Sequence, residues 1–143
     1  MQITKFFEFE AAHQLVKEGF NYGKCENVHG HSYKMQVHLF GGPGSDGMIM
    51  NFSHLKKLVK ENIIDVVDHS YLNETMDALN KKWEVTNYDI TTCETMSMSF
   101  ASIIVKLLKG KFTNVEKVGI TLFEQSDSSC YCEQNIYHFA EYF

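Results

Sequence analysis

The stretch SYKMQVHLF, Ser32 to Phe40, alternates without a break: Tyr33, Met35, Val37 and Leu39 fall on one face, Lys34, Gln36 and His38 on the other. Successive side chains of an extended backbone point to opposite sides, so one apolar face at period two specifies a half-buried strand. Such a strand belongs to an antiparallel sheet with one packed face, and the rest of the chain must supply its partners and its cover. ITKFFEFEAAH (3–13) sets Ile3, Phe7 and Phe9 against Thr4, Glu8 and Glu10. VEKVGITLFE (115–124) sets Val118, Ile120 and Leu122 against Lys117, Gly119 and Thr121. MIMNF (48–52), after the turn-forming GGPGSDG, is expected to continue the sheet briefly, and YCEQNIYHFAEYF (131–143) to close it.

The cover is read as two helices. Ser53 is placed as the N-cap of one carrying Leu55, Leu58, Val59 and Ile63 at helical spacing. Thr91 and Glu94 stand three apart like a capping box and open the second, with Met96, Phe100, Ile103, Ile104 and Leu107 as its apolar stripe and Gly110 as its stop. The expected fold is α+β, in the order β-β-α-α-β-β, a mostly antiparallel sheet with two helices on one face and a single domain over residues 1–143. A sheet covered on one face keeps two free edges, and these predict a homo-oligomer.

A net charge of −5 with no lysine cluster gives no case for nucleic acid. The opening residues are broken by Lys5, Glu8 and Glu10, so neither a signal peptide nor a membrane span is expected there, and the protein is expected to be cytoplasmic. Cys25, Cys93, Cys130 and Cys132 are then reduced thiols; without a C-x-x-C pair they form no zinc ribbon, and Cys130 and Cys132 read as structural.

The chemistry concentrates in KCENVHGHSYK, Lys24 to Lys34. His29 and His31, one residue apart in a strand, point to the same side, and His13 ends the neighbouring strand. Three neutral imidazoles with a fourth position open suit catalytic zinc. His38, His54 and His138 lack such company and read as structural or solvated. Cys25 is either a fourth ligand, closing the zinc site, or a thiol held off the metal as base or nucleophile; spacing leaves both open. Glu26 is a second possible proton carrier, Asp68-His69 a possible relay pair, and Glu124 a carboxylate able to accept two parallel N–H bonds from a heterocycle edge.

FEAAHQL, CENVHGHSYK, NFSHLKKLVKENIIDVVDHSYLN, TCETMS and ITLFEQ, taken together, resemble the 6-pyruvoyl-tetrahydropterin synthase and 6-carboxy-tetrahydropterin synthase family over nearly the whole chain. The resemblance implies a tunnelling fold (T-fold) whose trimers form a barrel and stack as a hexamer. It implies zinc on His13, His29 and His31, Cys25 as catalytic thiol with Asp68 and His69 as its relay, and Glu124 as the pterin anchor with Thr92 and Cys93 by the same pocket. The implied substrate is 7,8-dihydroneopterin triphosphate.

The short spacing from Cys25 to His29 resembles the carboxy-tetrahydropterin branch, which feeds queuosine-type deazapurine synthesis and releases acetaldehyde and triphosphate. Glu26 resembles the glutamate of a folate-type branch that leaves 6-hydroxymethyl-7,8-dihydropterin; a pyruvoyl product is a further alternative. Thr91 and Asn51 stand where the family often has proline and aspartate. A non-catalytic zinc- or pterin-binding module is the alternative outside enzymes.

Overall fold

The computed structural model describes residues 1–139. β1 (Gln2–His13) and β2 (His29–Gly41) pair antiparallel along their full length, with Phe7 opposite Met35 and His13 opposite His29. β2 continues the ladder to β4 (Val115–Gln125), and β4 to β5 (Ser128–Asn135), both antiparallel. A two-residue strand, β3 (Ser70–Tyr71), lies parallel to β1 at Ala11 and Ala12, giving the order β3-β1-β2-β4-β5. The rest of β1's outer edge and the outer edge of β5 carry no partner among the described residues.

The alternation decides which face is covered. Phe7, Phe9, Tyr33, Met35, Val37, Leu39, Val118, Ile120 and Leu122 are buried beneath the helices. Phe9 stacks on Tyr33 at 4.8 Å and meets Phe100 edge-on at 6.2 Å, which ties sheet to helix.

Among the described residues the helices number three rather than two. α1 (Phe52–Val59) runs on through a π-helical stretch, Lys60–Ile64, and a last turn, Asp65–Val67. α2 (Leu72–Trp83) buries Leu72, Met76 and Leu79, and α3 (Cys93–Leu108) buries Met96, Phe100, Ile103 and Ile104. The α+β class and the one covered face stand as expected; α2 is added.

Other boundaries move for local reasons. Met48–Met50 form a bend, not a strand, and Phe52 already begins α1. The N-cap of α1 is Asn51, whose side chain accepts from the Ser53 and His54 N–H groups; Ser53 lies inside the helix. At α3 the cap is Thr92, accepting from Thr95 N at 3.2 Å, so no Thr91–Glu94 capping box forms. β5 starts at Ser128 and ends at Asn135, so the expected strand over 136–139 is absent and its last four residues lie outside the described ones. No helix among the described residues is long and apolar enough to cross a membrane.

Candidate active site

The register of β1 against β2 builds the centre of the site. His13 opposes His29, Ala11 opposes His31, and all three imidazoles project to the helix-covered side at the end of the sheet. Their ring centroids are 4.7, 4.9 and 5.2 Å apart.

Backbone carbonyls set two of the tautomers. His13 Nδ1 lies 2.8 Å from Thr91 O and 3.2 Å from Thr91 Oγ1, and His29 Nδ1 lies 2.7 Å from Asn27 O. A carbonyl can only accept, so each Nδ1 carries the proton and each Nε2 keeps its lone pair. His31 Nε2 is buried with no hydrogen-bond partner. One donor nitrogen from each ring lies within 4.8 Å of the others. Tetrahedral zinc asks for about 3.4 Å between nitrogens, a contraction within reach of side-chain rotation.

Burial lowers the pKa of His13 and of His31, against the raising effect of the Thr91 carbonyl on His13 and of Glu124 on His31. The neutral form that burial favours is the ligand form. An orphaned buried nitrogen in a cluster where burial favours neutral His13 and His31 therefore fits a zinc-type ion.

Glu124, near the end of β4, places Oε1 3.4 Å from His31 Nε2 and 3.5 Å from His13 Nε2. A cavity of ≈ 330 Å³ beside it is lined by His31, Lys34, Phe123 and Glu124. Thr92 caps α3, and Cys93 Sγ donates to Leu122 O at 3.1 Å, so both stand beside β4 two residues short of Glu124. Burial pushes the Cys93 thiol pKa well up, keeping it protonated.

Asp68 and His69 close α1's extension against β1. Asp68 Oδ1 accepts from Glu10 N at 2.8 Å, Oδ2 lies 3.0 Å from His69 Nδ1, and His69 N donates to Glu10 O. The Glu10 N–H first, and then His69, hold the Asp68 carboxyl below its usual pKa. His69 has φ 57°, a left-handed backbone uncommon for a non-glycine residue, fixed here by the clamp on Glu10. His69 and His31 line one open groove of ≈ 930 Å³.

Cys25 and Glu26 sit on a 3-10 turn, Gly23–Glu26. Cys25 is exposed, its carbonyl accepting from Leu15 N, and Glu26 Oε2 accepts from Tyr22 N at 3.3 Å. The thiol is not one of the gathered metal donors. Among the described residues no hydrogen bond or ion pair joins Cys25 or Glu26 to Asp68 or His69.

The family model for 6-pyruvoyl tetrahydropterin synthase matches residues 2–135. The chain belongs to that family. Among curated members of the 6-pyruvoyl tetrahydropterin synthase family, it is 29% identical over 153 residues to the Aquifex aeolicus 6-carboxy-5,6,7,8-tetrahydropterin synthase, covering 89% of this chain and 94% of that protein. It is 43% identical over 75 residues to the Haemophilus influenzae protein of the same name, a match spanning 50% of this chain and only 51% of that relative. The human 6-pyruvoyl tetrahydrobiopterin synthase is 34% identical over 82 residues, 50% of this chain and 57% of that one. The Caenorhabditis elegans 6-pyruvoyl tetrahydropterin synthase structure superposes with a TM-score of 0.72 at 24% identity, over 94% of this chain and 95% of that one, and the shared fold is the T-fold.

The residues that sequence reasoning singled out thus fall into three groups: the imidazoles with Glu124, the Asp68–His69 pair, and the Cys25–Glu26 turn. Thr91 was missed. It was read as a helix cap, yet it is 4% exposed and holds His13 from 78 residues away. No local signal in the sequence marks this contact.

Proposed function

We propose that this family member is a zinc-dependent lyase converting 7,8-dihydroneopterin triphosphate to 6-carboxy-5,6,7,8-tetrahydropterin, with release of acetaldehyde and triphosphate. The observation that carries the reading is the open three-imidazole cluster, with Glu124 beside it and the Cys25 thiol outside it. The Aquifex relative, matched over nearly its whole length, bears the corresponding name. Zinc held by His13, His29 and His31 would supply a Lewis acid for the substrate's side-chain hydroxyls.

The remaining roles belong to the chain's own groups. Glu124 accepts two N–H bonds from the 2-amino pyrimidinone edge of the pterin, a charge-assisted pair that fixes the ring. At 3.4–3.5 Å from two imidazole nitrogens, this anchor brings the ring's side chain within reach of the same cluster. Thr92 and Cys93 shape the pocket beside it. Asp68 accepts from His69 Nδ1–H, which fixes the tautomer and leaves His69 Nε2 as the base. Cys25, exposed on its turn, moves a proton between C6 and the side chain, with the Asp68–His69 pair as its relay. The free edges of β1 and β5 support assembly into the family's barrel, proposed as a hexamer of two trimers. The product is placed in queuosine-type deazapurine synthesis.

A second reading rests on Glu26. Two solved Plasmodium vivax structures of 6-pyruvoyltetrahydropterin synthase are described as catalytic residue mutants at a glutamate. Glu26 acting on a side-chain hydroxyl would favour the retro-aldol cut to 6-hydroxymethyl-7,8-dihydropterin. Incubating zinc-loaded protein with 7,8-dihydroneopterin triphosphate and identifying products by mass separates the two. Carboxy-tetrahydropterin with acetaldehyde supports the first reading; predominant hydroxymethyl-dihydropterin transfers the chemistry to Glu26; a pyruvoyl product, or none, refutes both.

A further inference from the structure

Three thiols gather where the first turns of α3 pack on β4 and β5, and the proposed chemistry uses at most one of them, as pocket wall. Cys130 Sγ lies 3.3 Å from Cys93 Sγ and 3.4 Å from Ser97 Oγ. Cys132 lies two residues along β5 and is half-buried like Cys130. We infer that Cys93 and Cys130 form a reversible disulfide on exposure to a hydroperoxide, and that this bridge weakens the hold of His13 on the metal. The second half rests on the zinc reading; the first half stands without it.

Geometry favours this pair. Closing 3.3 Å to a bond of about 2.05 Å asks for a movement of about 1.2 Å. Among the described residues β5 pairs only with β4, and β5 and the first turn of α3 share that movement. Cys130 is partly exposed and Cys93 buried, so the peroxide meets Cys130 first.

The Cys130 sulfur attacks the peroxide, the O–O bond breaks, and a sulfenic acid and one water (or alcohol) result. The Cys93 sulfur then displaces the hydroxyl: the S–S bond forms, the S–O bond breaks, and the Cys93 proton leaves with it as a second water. Two thiols lose two electrons, and the peroxide gains them. Burial keeps Cys93 protonated, which makes its second step slow but supplies that proton.

The coupling to the metal runs through two residues. Thr91, two positions before Cys93, fixes His13 Nδ1 through its carbonyl at 2.8 Å. Any share of that closing movement taken up at the start of α3 bears on this contact two residues away, and loosening an outer partner of a metal-bound histidine typically costs about 10–100-fold in affinity.

The test treats reduced, zinc-loaded protein with hydrogen peroxide, alkylates the remaining thiols and maps peptides by mass. The expected result is a linked Cys93–Cys130 pair, reversed by dithiothreitol, present in Cys132→Ser and absent in Cys130→Ser. Cys93 remaining alkylatable while Cys25 or Cys130 oxidises alone, or Cys130 pairing with Cys132, overturns the bridge. In the bridged protein zinc passes to a chelator about 10-fold faster than in the reduced one; equal rates overturn the coupling. Failure of the reduced protein to bind zinc would instead count against the zinc reading and, with it, the coupling, leaving the bridge to be decided by the peptide map.

Discussion

Replacing Thr91 with valine tests how His13 is held. The change keeps shape and volume and removes only Oγ1, the longer of two contacts to His13 Nδ1 at 3.2 Å; the carbonyl at 2.8 Å remains. A neutral hydrogen bond contributes about 0.5–1.5 kcal/mol. At 1.4 kcal/mol per tenfold, zinc affinity should fall by about 2–12-fold. His13→Ala, which removes a proposed ligand, should fall far further. Proline at 91, frequent in the family by resemblance, keeps the carbonyl and should behave like valine. Competition against a chromophoric chelator reads all three. If Thr91→Val lost zinc as completely as His13→Ala, the carbonyl would not be the anchor and the tautomer argument would fail.

Asp68→Asn keeps an oxygen for Glu10 N–H but loses the acceptor at His69 Nδ1; turnover should drop by about 10²–10⁴ with zinc content unchanged, and an unaltered rate would remove the relay. Phe100→Ala empties a fully buried site against Phe9 and should cost about 3–5 kcal/mol of unfolding free energy in urea titrations, whereas a loss below about 1 kcal/mol would mean the core collapses to fill it. His38 is 6% exposed and bonded to Thr4 and Thr121, and burial lowers its folded pKa. The unfolded chain therefore binds the extra proton below about pH 6.5, so stability is full above that value and declines as pH falls toward the folded pKa. His38→Gln should flatten that acid-side slope; an identical slope in both proteins would assign it elsewhere.

Much of the frame was legible because strand alternation is a local signal. Tyr33, Met35, Val37 and Leu39 declare a buried face without reference to anything distant. The pairing of His29 with His31 is legible for the same reason. α2 was missed although Leu72, Met76 and Leu79 carry helical spacing, because its N-cap, Tyr71, makes no side-chain cap bond and polar residues crowd the run. Caps misplaced by one or two residues reflect competition among neighbours: Asn51 outbids Ser53, and Thr92 outbids Thr91. The contacts of Asp68 with Glu10 and of Thr91 with His13 join residues 58 and 78 positions apart, and no local pattern encodes them. Glu124 stood out as a carboxylate ending an apolar strand, its pterin role came only through resemblance, and the fold adds its distance to the imidazoles.

The central claim is that three imidazoles hold the metal while Cys25 stands outside as a free, working thiol. The most direct measurement is the rate at which iodoacetamide alkylates Cys25 in metal-free and zinc-loaded protein, followed by peptide mass. The account predicts rapid modification in both, with zinc retained and turnover lost. Protection of Cys25 by zinc would make it a fourth ligand, close the site, and contradict the account.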